Sequence, residues 1–455
     1  MHLSDLQKLF VELDFHPSRK LGQNFLIDQN VAAWIVRQLS ISPGDTVVEA
    51  GPGAGALTHE LLSQTENLVL VEFDHRLAEF LKGLLAHRPS VSVLHGDACR
   101  FDTRDLFPRQ PVRFIGNLPY SAGGEIIRNF LGAHSPVTEA VLMVQREVAE
   151  RIAAKPRTKD FSVLTLRVQC RWNVRVLKHL GPECFFPRPK IDSTVIHLTR
   201  KEPGSMPVFD AVLFDRLIRQ GFAQRRKQLR NALQLSEPEW QGAIRGANIA
   251  PLARAEELEL AQWIQLTQVL DPHPLKHHAQ KGDEIFDVVD ENDIVTGQST
   301  RDTVHRSGLR HRAVHLFVFN RAGELFLQKR SHLKDVHPGA WDSSAAGHLD
   351  AGEEYADAAR RELQEELGLT GEVEEIARLP ASAQTGHEFV RLYRAEAHGK
   401  IRWPASEIEF GQFFPLRVIA HWIEARPGDF AGGFLACWDA ARIVTKDEGQ
   451  RTKDE

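Results

Sequence analysis

Four strand-like runs in the first 120 residues end in groups suited to holding a nucleoside and activating an amine. VVEA (47–50) runs into GPGAGALT (51–58), whose glycines let backbone approach a ligand at the carboxyl end of a strand. The next run ends in VEFD, which puts Glu72 where an acid accepts both hydroxyls of a ribose. A third ends in HGDA, where Asp97 can take the exocyclic amine of an adenine ring. To this point Gly51, Gly53 and Ala56 satisfy a loose dinucleotide fingerprint, so a nicotinamide dinucleotide fits equally well. The fourth run separates the readings. It ends in FIGNLPY (114–120), in which Asn117 supplies an amide oxygen, Leu118 and Pro119 supply carbonyls held out by the proline, and Tyr120 supplies an aromatic face. The lone pair of an adenine N6 is delocalised into its ring. Acceptors on its two N–H bonds favour a pyramidal nitrogen and free that lone pair for attack, while the aromatic holds a base taken out of its stack. Hydride transfer has no use for this arrangement.

A second constellation lies far along the chain. Gly347, Glu353, Arg361, Glu362, Leu363, Glu365, Glu366, Gly368 and Leu369 follow the spacing Gly-x5-Glu-x7-Arg-Glu-Leu-x-Glu-Glu-x-Gly-Leu. On a helix Glu362, Glu365 and Glu366 sit at i, i+3 and i+4 and share one face. Three carboxylates on one face repel unless cations join them, so the site calls for Mg²⁺ or Mn²⁺. Such ions bridge diphosphate oxygens and activate water. Glu362 and Glu365 are therefore read as catalytic, and Gly347, Glu362, Glu365 and Glu366 as the metal set. Arg361 is expected to point away from these acids and to pair with Glu353, fixing the loop against the helix.

The elements behind these groups can be read from hydrophobic rhythm. Thr46–Glu49, Leu68–Val71, Val91–Leu94 and Arg113–Ile115 read as buried parallel strands. Amphipathic stretches such as Asn30–Leu39 and His75–Leu85 lie between them, which makes a doubly wound α/β sheet. Leu213–Leu235 and Ala253–Leu270 read as helices of a small separate domain. DPHPLKHHAQKGDE (271–284) has no hydrophobic period and reads as a linker, His277 and His278 included. Beyond Ile285 strands dominate, interrupted by one strong helix at Glu353–Leu367, and KDEGQRTKDE closes the chain as a frayed tail. The expected domains are 1–203, 204–270, a linker at 271–283, and 284–455.

Charge is unevenly spread. The chain of 455 residues carries −5, of which residues 1–272 account for +3 and residues 273–455 for −8. Residues 151–230 alone hold 18 basic and 6 acidic side chains, the footprint of a polyanion partner. Four scattered cysteines form no Cys-x-x-Cys pair, which argues against a disulfide framework or a structural zinc. The opening MHLSDLQKLFVELDF has acids where a signal peptide has an apolar run, and no apolar stretch reaches the ~20 residues of a membrane span. The expectation is a monomeric protein of the reducing cytoplasm with no membrane partner.

Residues 16–270 resemble the bacterial small-subunit (16S) rRNA adenine N6,N6-dimethyltransferases and their eukaryotic counterparts. The carrying segments, besides those above, are RKLGQNFLID (19–28), MVQREVAERI (143–152), FFPRPKIDSTV (185–195) and FAQRRKQLRNAL (222–233). The resemblance implies a Rossmann-like methyltransferase sheet with a small all-helical rRNA-binding domain. It implies that Asn24, Leu26, Gly51, Gly53, Glu72, Asp97 and Asn117 line an S-adenosyl-L-methionine site. Asn117, Leu118, Pro119 and Tyr120 would act on the target adenine, with Phe185 closing the sandwich opposite Tyr120. Arg146, Arg151, Arg225, Arg226 and Lys227 would meet rRNA phosphates. The family continues after Asn-Leu-Pro-Tyr with an Ile-containing segment closing on Ser or Pro. This chain has SAGGE (121–125), so the lip of the pocket differs.

The second constellation is a complete Nudix box. Residues 284–415 are further similar to the isopentenyl-diphosphate-isomerase-like branch of Nudix proteins, through DENDIVTGQSTRDTVH, LRHRAVHLFVFN, LQKRS and HPGAWDSSAAGH. The likeness implies an α+β Nudix domain (an α/β/α sandwich). His305, His311 and His348 fall where the isomerases hold a metal, and Glu388 falls at an acidic position. The isomerase's cysteine is Ala346 here and its partner acid is Gly386, so hydrolysis of a diphosphate-containing small molecule is expected rather than isomerisation. Two rival classes stand beside this reading: a non-catalytic ribosome-assembly factor, and a Nudix half that senses a nucleotide without cleaving it.

Overall fold

The computed structural model describes residues 3–18, 22–272 and 282–451. Arg19–Leu21, the linker core with His277 and His278, and the last four residues lie outside the described residues. The chain folds as two compact units, residues 1–206 with 211–270, and residues 207–210 with 271–455. The helical piece after residue 210 therefore belongs to the same unit as the first sheet.

That sheet has seven strands: β1 (Thr46–Ala50), β2 (Leu68–Glu72), β3 (Val91–His95), β4 (Val112–Asn117), β5 (Val137–Gln145), β6 (Trp172–Leu180) and β7 (Ser193–Arg200). They lie in the order β3-β2-β1-β4-β5-β7-β6, with β1 to β5 parallel and β7 antiparallel to both its neighbours. Strand order reverses at β1, and in open α/β sheets ligands bind at the carboxyl ends of strands beside such a switch. β1 and β2 are buried along their whole length, as their unbroken apolar runs require.

The expected single helix Leu213–Leu235 is two helices, Ala211–Phe222 and Leu229–Leu233. The break falls where Gln228 bridges to Arg254 and the Leu229 amide takes the Ala253 carbonyl, pulling the chain off the helix axis.

The second unit is built on a mixed seven-stranded sheet. At its centre β8 (His311–Phe319) pairs parallel with β10 (Glu388–Glu396) and antiparallel with the short β9 (Ala345–His348). Val314, Leu316 and Val318 of β8 pack on Ala358, Ala359, Leu363 and Leu367 of the helix Tyr355–Leu367. On the opposite side of β8, the Phe317 ring meets Phe434 at 5.8 Å, bringing up the helix Gly432–Arg451. The expectation of one helix here was too few, since Arg301–Ser307 and Leu416–Ala425 are helical as well. The tail read as frayed is helical in backbone as far as Arg451.

Candidate active sites

A cavity of about 340 Å³ opens at the carboxyl ends of β1 to β4. Asn24, Leu26, Gly51, Gly53, Glu72, Asp97, Asn117, Leu118, Pro119 and Tyr120 all line it. Gly53 sits at φ +58°, and a Cβ there would come 2.9 Å from the Phe25 ring, so the loop closes only with glycine. The Glu72 carboxylate accepts the Gly53 amide at 2.8 Å and the Asp74 amide at 2.9 Å. Burial pushes its pKa up, against the pull of those amides. Each oxygen keeps a lone pair for a further donor. Asp97 is set in the same way by the Cys99 amide at 2.9 Å.

Asn117 ends β4 and donates from Nδ2 to the Asn24 carbonyl at 2.8 Å. That bond fixes the flip of the amide and leaves Oδ1 as an acceptor. The Tyr120 hydroxyl is hydrogen-bonded to Ser193 Oγ at 2.8 Å, which tethers the ring. The two carbonyls expected to face the adenine part ways. Pro119 O accepts the Ala122 and Gly123 amides at 3.1 and 2.8 Å, because the chain turns there into the helix Gly123–Phe130. Leu118 O takes no backbone amide among the described residues. Ser121 and Ala122, from the divergent SAGGE segment, form part of the wall.

Phe185 is not in that wall. It is 1% exposed in the core with Leu26, Val31 and Ile35, so the expected sandwich with Tyr120 is not formed in this conformation. The cause is register: Leu26 pairs with Phe185 and Phe25 with Phe186, and the Leu26–Phe185 pair turns inward. Glu49 lines the cavity and was missed in the sequence, where its only signal is an acid inside an apolar strand. Burial raises its pKa to about 8, with Thr58 Oγ1 donating to it at 2.6 Å.

The five basic residues divide. Arg226 and Lys227 are exposed and form no side-chain hydrogen bond or ion pair among the described residues, and Arg151 is exposed on its helix. Arg146 is exposed but pairs with Glu150 at 2.9 Å. Arg225 is turned inward: it binds Glu256 at 3.0 Å and the carbonyls of Lys159 and Phe161 at 2.8 and 3.0 Å. It braces the helical piece against the loop at 159–161, so in this structure the guanidinium that the resemblance assigns to an rRNA phosphate is already engaged.

In the second unit a cavity of about 510 Å³ holds the carboxylate helix along one wall. Glu362 and Glu366 are 8% and 7% exposed. Burial and mutual repulsion push Glu362 up to about 8, and burial pushes Glu366 up to about 7. Gln328 Nε2 and the Ala346 amide both donate to Glu366 Oε2 at 3.1 Å. Gly347 packs so closely that any side chain would collide with the Glu362 carboxylate. Arg361 pairs with Glu353 at 2.9 Å, as expected, but it does not point away from the other acids. It also reaches Glu362 at 2.7 Å and Glu365 at 3.3 Å, a cation drawn to a crowded carboxylate face.

His305 and His348 line the same cavity, and with the buried His311 each brings a ring nitrogen within 4.8 Å of the others. His348 Nε2 is 3.0 Å from Glu388 Oε1, and burial lowers this imidazole to about 4, so it is neutral at pH 7. Burial alone would raise Glu388, but the neighbouring imidazoles of His311 and His348 hold it far below the usual carboxylate range. His311 gives Nδ1–H to the Leu309 carbonyl at 3.0 Å, which leaves a lone pair on Nε2. That Nε2 is fully buried without a hydrogen-bond partner, 3.5 Å from Glu388 Oε1. With His311 neutral, its lone pair and the Glu388 carboxylate fit a cation held by both.

The fold and first cavity define a class, the Rossmann-like methyltransferases acting on a base. The chain belongs to the ribosomal RNA adenine dimethylase family, whose model matches residues 15–271, and it carries a NUDIX domain at residues 309–431. It is 36% identical over 271 residues to the ribosomal RNA small subunit methyltransferase A of Clostridium perfringens (strain SM101 / Type A), covering 59% of this chain and 95% of that protein. The protein of the same name from Paracoccus denitrificans is 39% identical over 278 residues, covering 60% and 98%. A solved dimethyladenosine transferase from Plasmodium falciparum aligns with a TM-score of 0.44 at 23% identity, covering 53% of this chain and 95% of that one. Among the described residues no helix is long and apolar enough to cross a membrane.

Proposed function

We propose that the first half dimethylates N6 of adenines in small-subunit rRNA, and that the second half hydrolyses a diphosphate linkage with divalent cations. The small-subunit target is taken from the relatives' names, and cytoplasmic ribosome assembly is where such a substrate is found. The observation that carries the first reading is the amide of Asn117 in the cavity wall, its Nδ2 held by the Asn24 carbonyl so that Oδ1 is left as an acceptor. When bound, S-adenosyl-L-methionine supplies a methyl group on a cationic sulfur. Glu72 would receive its ribose hydroxyls and Asp97 its adenine amine, while Asn24 and Leu26 cover it. Asn117 Oδ1 and Leu118 O would accept the two N–H bonds of the target amine, and Tyr120 would hold the flipped ring. The helical piece and the exposed Arg151, Arg226 and Lys227 would lie along rRNA phosphates.

The second reading is carried by the pairing of two metal-fitting sets in one cavity. Gly347, Glu362, Glu365 and Glu366 suit Mg²⁺ or Mn²⁺, and the nitrogen-rich set of His305, His311 and His348 with Glu388 suits a softer cation. Similarity to the isomerase-like branch supports the placing of the second set. Ala346 and Gly386 supply no thiol and no acid, which argues against alkene isomerisation. The test is release of phosphorylated product from a panel of diphosphate compounds by the full chain with Mg²⁺ or Mn²⁺. Wild type should cleave at least one, and Glu366→Gln should lose that turnover while remaining folded. No cleavage across the panel favours the sensor, and conversion of isopentenyl diphosphate to its isomer overturns the hydrolase.

A further inference from the structure

Two imidazoles lining the second cavity, His315 and His337, belong to neither metal-fitting set, and of these His315 is the buried one. His315 lies on β8, is 6% exposed and lines the cavity. Its Nδ1 is 2.7 Å from the hydroxyl of Ser343, a side chain with no exposure at all. The Ser343 backbone amide goes to Asp342, and the hydroxyl has no partner besides His315 among the described residues. A sealed hydroxyl proton has to be donated, and Nδ1 is the acceptor beside it. The neutral ring therefore carries its own proton on Nε2.

That Nε2–H has no protein partner among the described residues. It is also not sealed: the fully buried side-chain atoms without partners there are Trp263 Nε1, His311 Nε2 and Trp438 Nε1. The ring edge is admitted by a glycine, since a Cβ on Gly433 would come 3.0 Å from its Cε1 and 3.1 Å from its Nε2. Across the ladder His315 faces Ala346, whose amide holds Glu366. Cross-strand side chains stand about 5 Å apart, and Ala346 adds only a methyl group. The open donor of His315 and the carboxylates of Glu362 and Glu366 thus line the same cavity.

We infer that His315 is a substrate-contacting residue of this cavity, donating from Nε2 to an anionic oxygen of a phosphorylated compound held at the carboxylate helix. The inference rests on the diphosphate reading above. It makes His315 a hydrogen-bond donor to that group beside the basic side chains of the cavity, and Gly433 and Ser343 the residues that seat it.

The test uses the full chain with Mg²⁺ and inorganic pyrophosphate, with affinities measured by calorimetry. His315→Phe keeps a flat ring but has no donor, His315→Gln keeps a donor, and Glu366→Gln serves as the metal-site control. His315→Phe should weaken pyrophosphate binding roughly ten- to hundredfold, the worth of one hydrogen bond to a charged oxygen. Its Mg²⁺ affinity without pyrophosphate should match wild type, and His315→Gln should recover part of the loss. In wild type, [¹⁵N]histidine spectra should show the Nε2 proton signal of His315 moving on pyrophosphate addition. If His315→Phe binds pyrophosphate as wild type does while Glu366→Gln does not, the cavity takes a diphosphate without His315 and the inference fails. If wild type binds none with Mg²⁺ present, the diphosphate reading fails and takes the inference with it.

Discussion

The two cavities hold their acids in opposite ways. In the first, Glu72 and Asp97 stand apart at the ends of different strands, and each is fixed by backbone amides. An acid held like this is a directed acceptor, ready for a hydroxyl or an amine on a neutral nucleoside. In the second, Glu362, Glu365 and Glu366 share one helix face, two of them are raised to about 8 and 7, and Arg361 serves three carboxylates at once. Acids crowded like this are costly until cations enter. The same side chain, tied to backbone or stacked on its own kind, therefore specifies a different class of ligand.

The sharpest way to break the comparison is to remove the side chain in the first cavity that is proposed to accept from the reacting amine. Asn117→Ala should lower methyl incorporation by roughly 10²–10³-fold, the scale of losing one preorganised polar group. Donor affinity should change far less, because Glu72 and Asp97 remain. Equal losses in donor binding and turnover would make Asn117 a wall residue only.

A smaller effect is expected on RNA. Replacing Arg226 and Lys227 with Ala should flatten the log–log salt dependence of rRNA binding by roughly one unit for each phosphate no longer neutralised. Arg225→Ala should instead lower thermal stability with little change in slope, because its guanidinium is occupied by Glu256 and two carbonyls. A slope change for Arg225→Ala equal to that for Lys227→Ala would show that those bonds open on RNA.

The smallest effect concerns Glu49, an acid of the first cavity held by a side chain rather than by backbone. Its folded pKa of about 8 lies above its ordinary value, so its contribution to stability is complete below that value and is lost as pH rises through about 8. Glu49→Gln should therefore match wild type near pH 4.5 and exceed it by on the order of 1–3 kcal/mol at pH 8.5, measured by denaturant unfolding without donor. A gain that does not grow with pH would contradict the buried, protonated acid.

Much of this was legible in the sequence. β1, β2 and β3 extend the expected runs by a single residue each; β1 and β2 are buried as continuous apolar runs, whereas β3, expected to be buried too, is half-buried to exposed because it lies at the sheet edge. Strand-end groups such as Glu72, Asp97 and Asn117 were legible because the motifs fix both their residue type and their place on the strand. What composition could not show was where a long side chain turns. Arg225 sits in a basic run with Arg226 and Lys227, yet the helix break at 223–228 aims it inward. Arg361 was expected to turn from the carboxylates, and an unneutralised acidic face drew it back. Phe185 was assigned by motif, and the short pairing with Leu26 buried it. His315 was invisible because a histidine in an apolar strand reads as core until Gly433, far along the chain, is seen to open one edge of its ring.

The central claim is that one chain carries two chemically independent sites. It is tested most directly by measuring, on the same preparations of Asn117→Ala and Glu366→Gln, methyl incorporation into assembly-stage small ribosomal subunits and Mn²⁺ binding. Asn117→Ala should lose methylation and bind Mn²⁺ as wild type does. Glu366→Gln should lose Mn²⁺ affinity and methylate as wild type does. Near wild-type methylation by Asn117→Ala, or loss of methylation in step with Mn²⁺ binding in Glu366→Gln, would contradict the account.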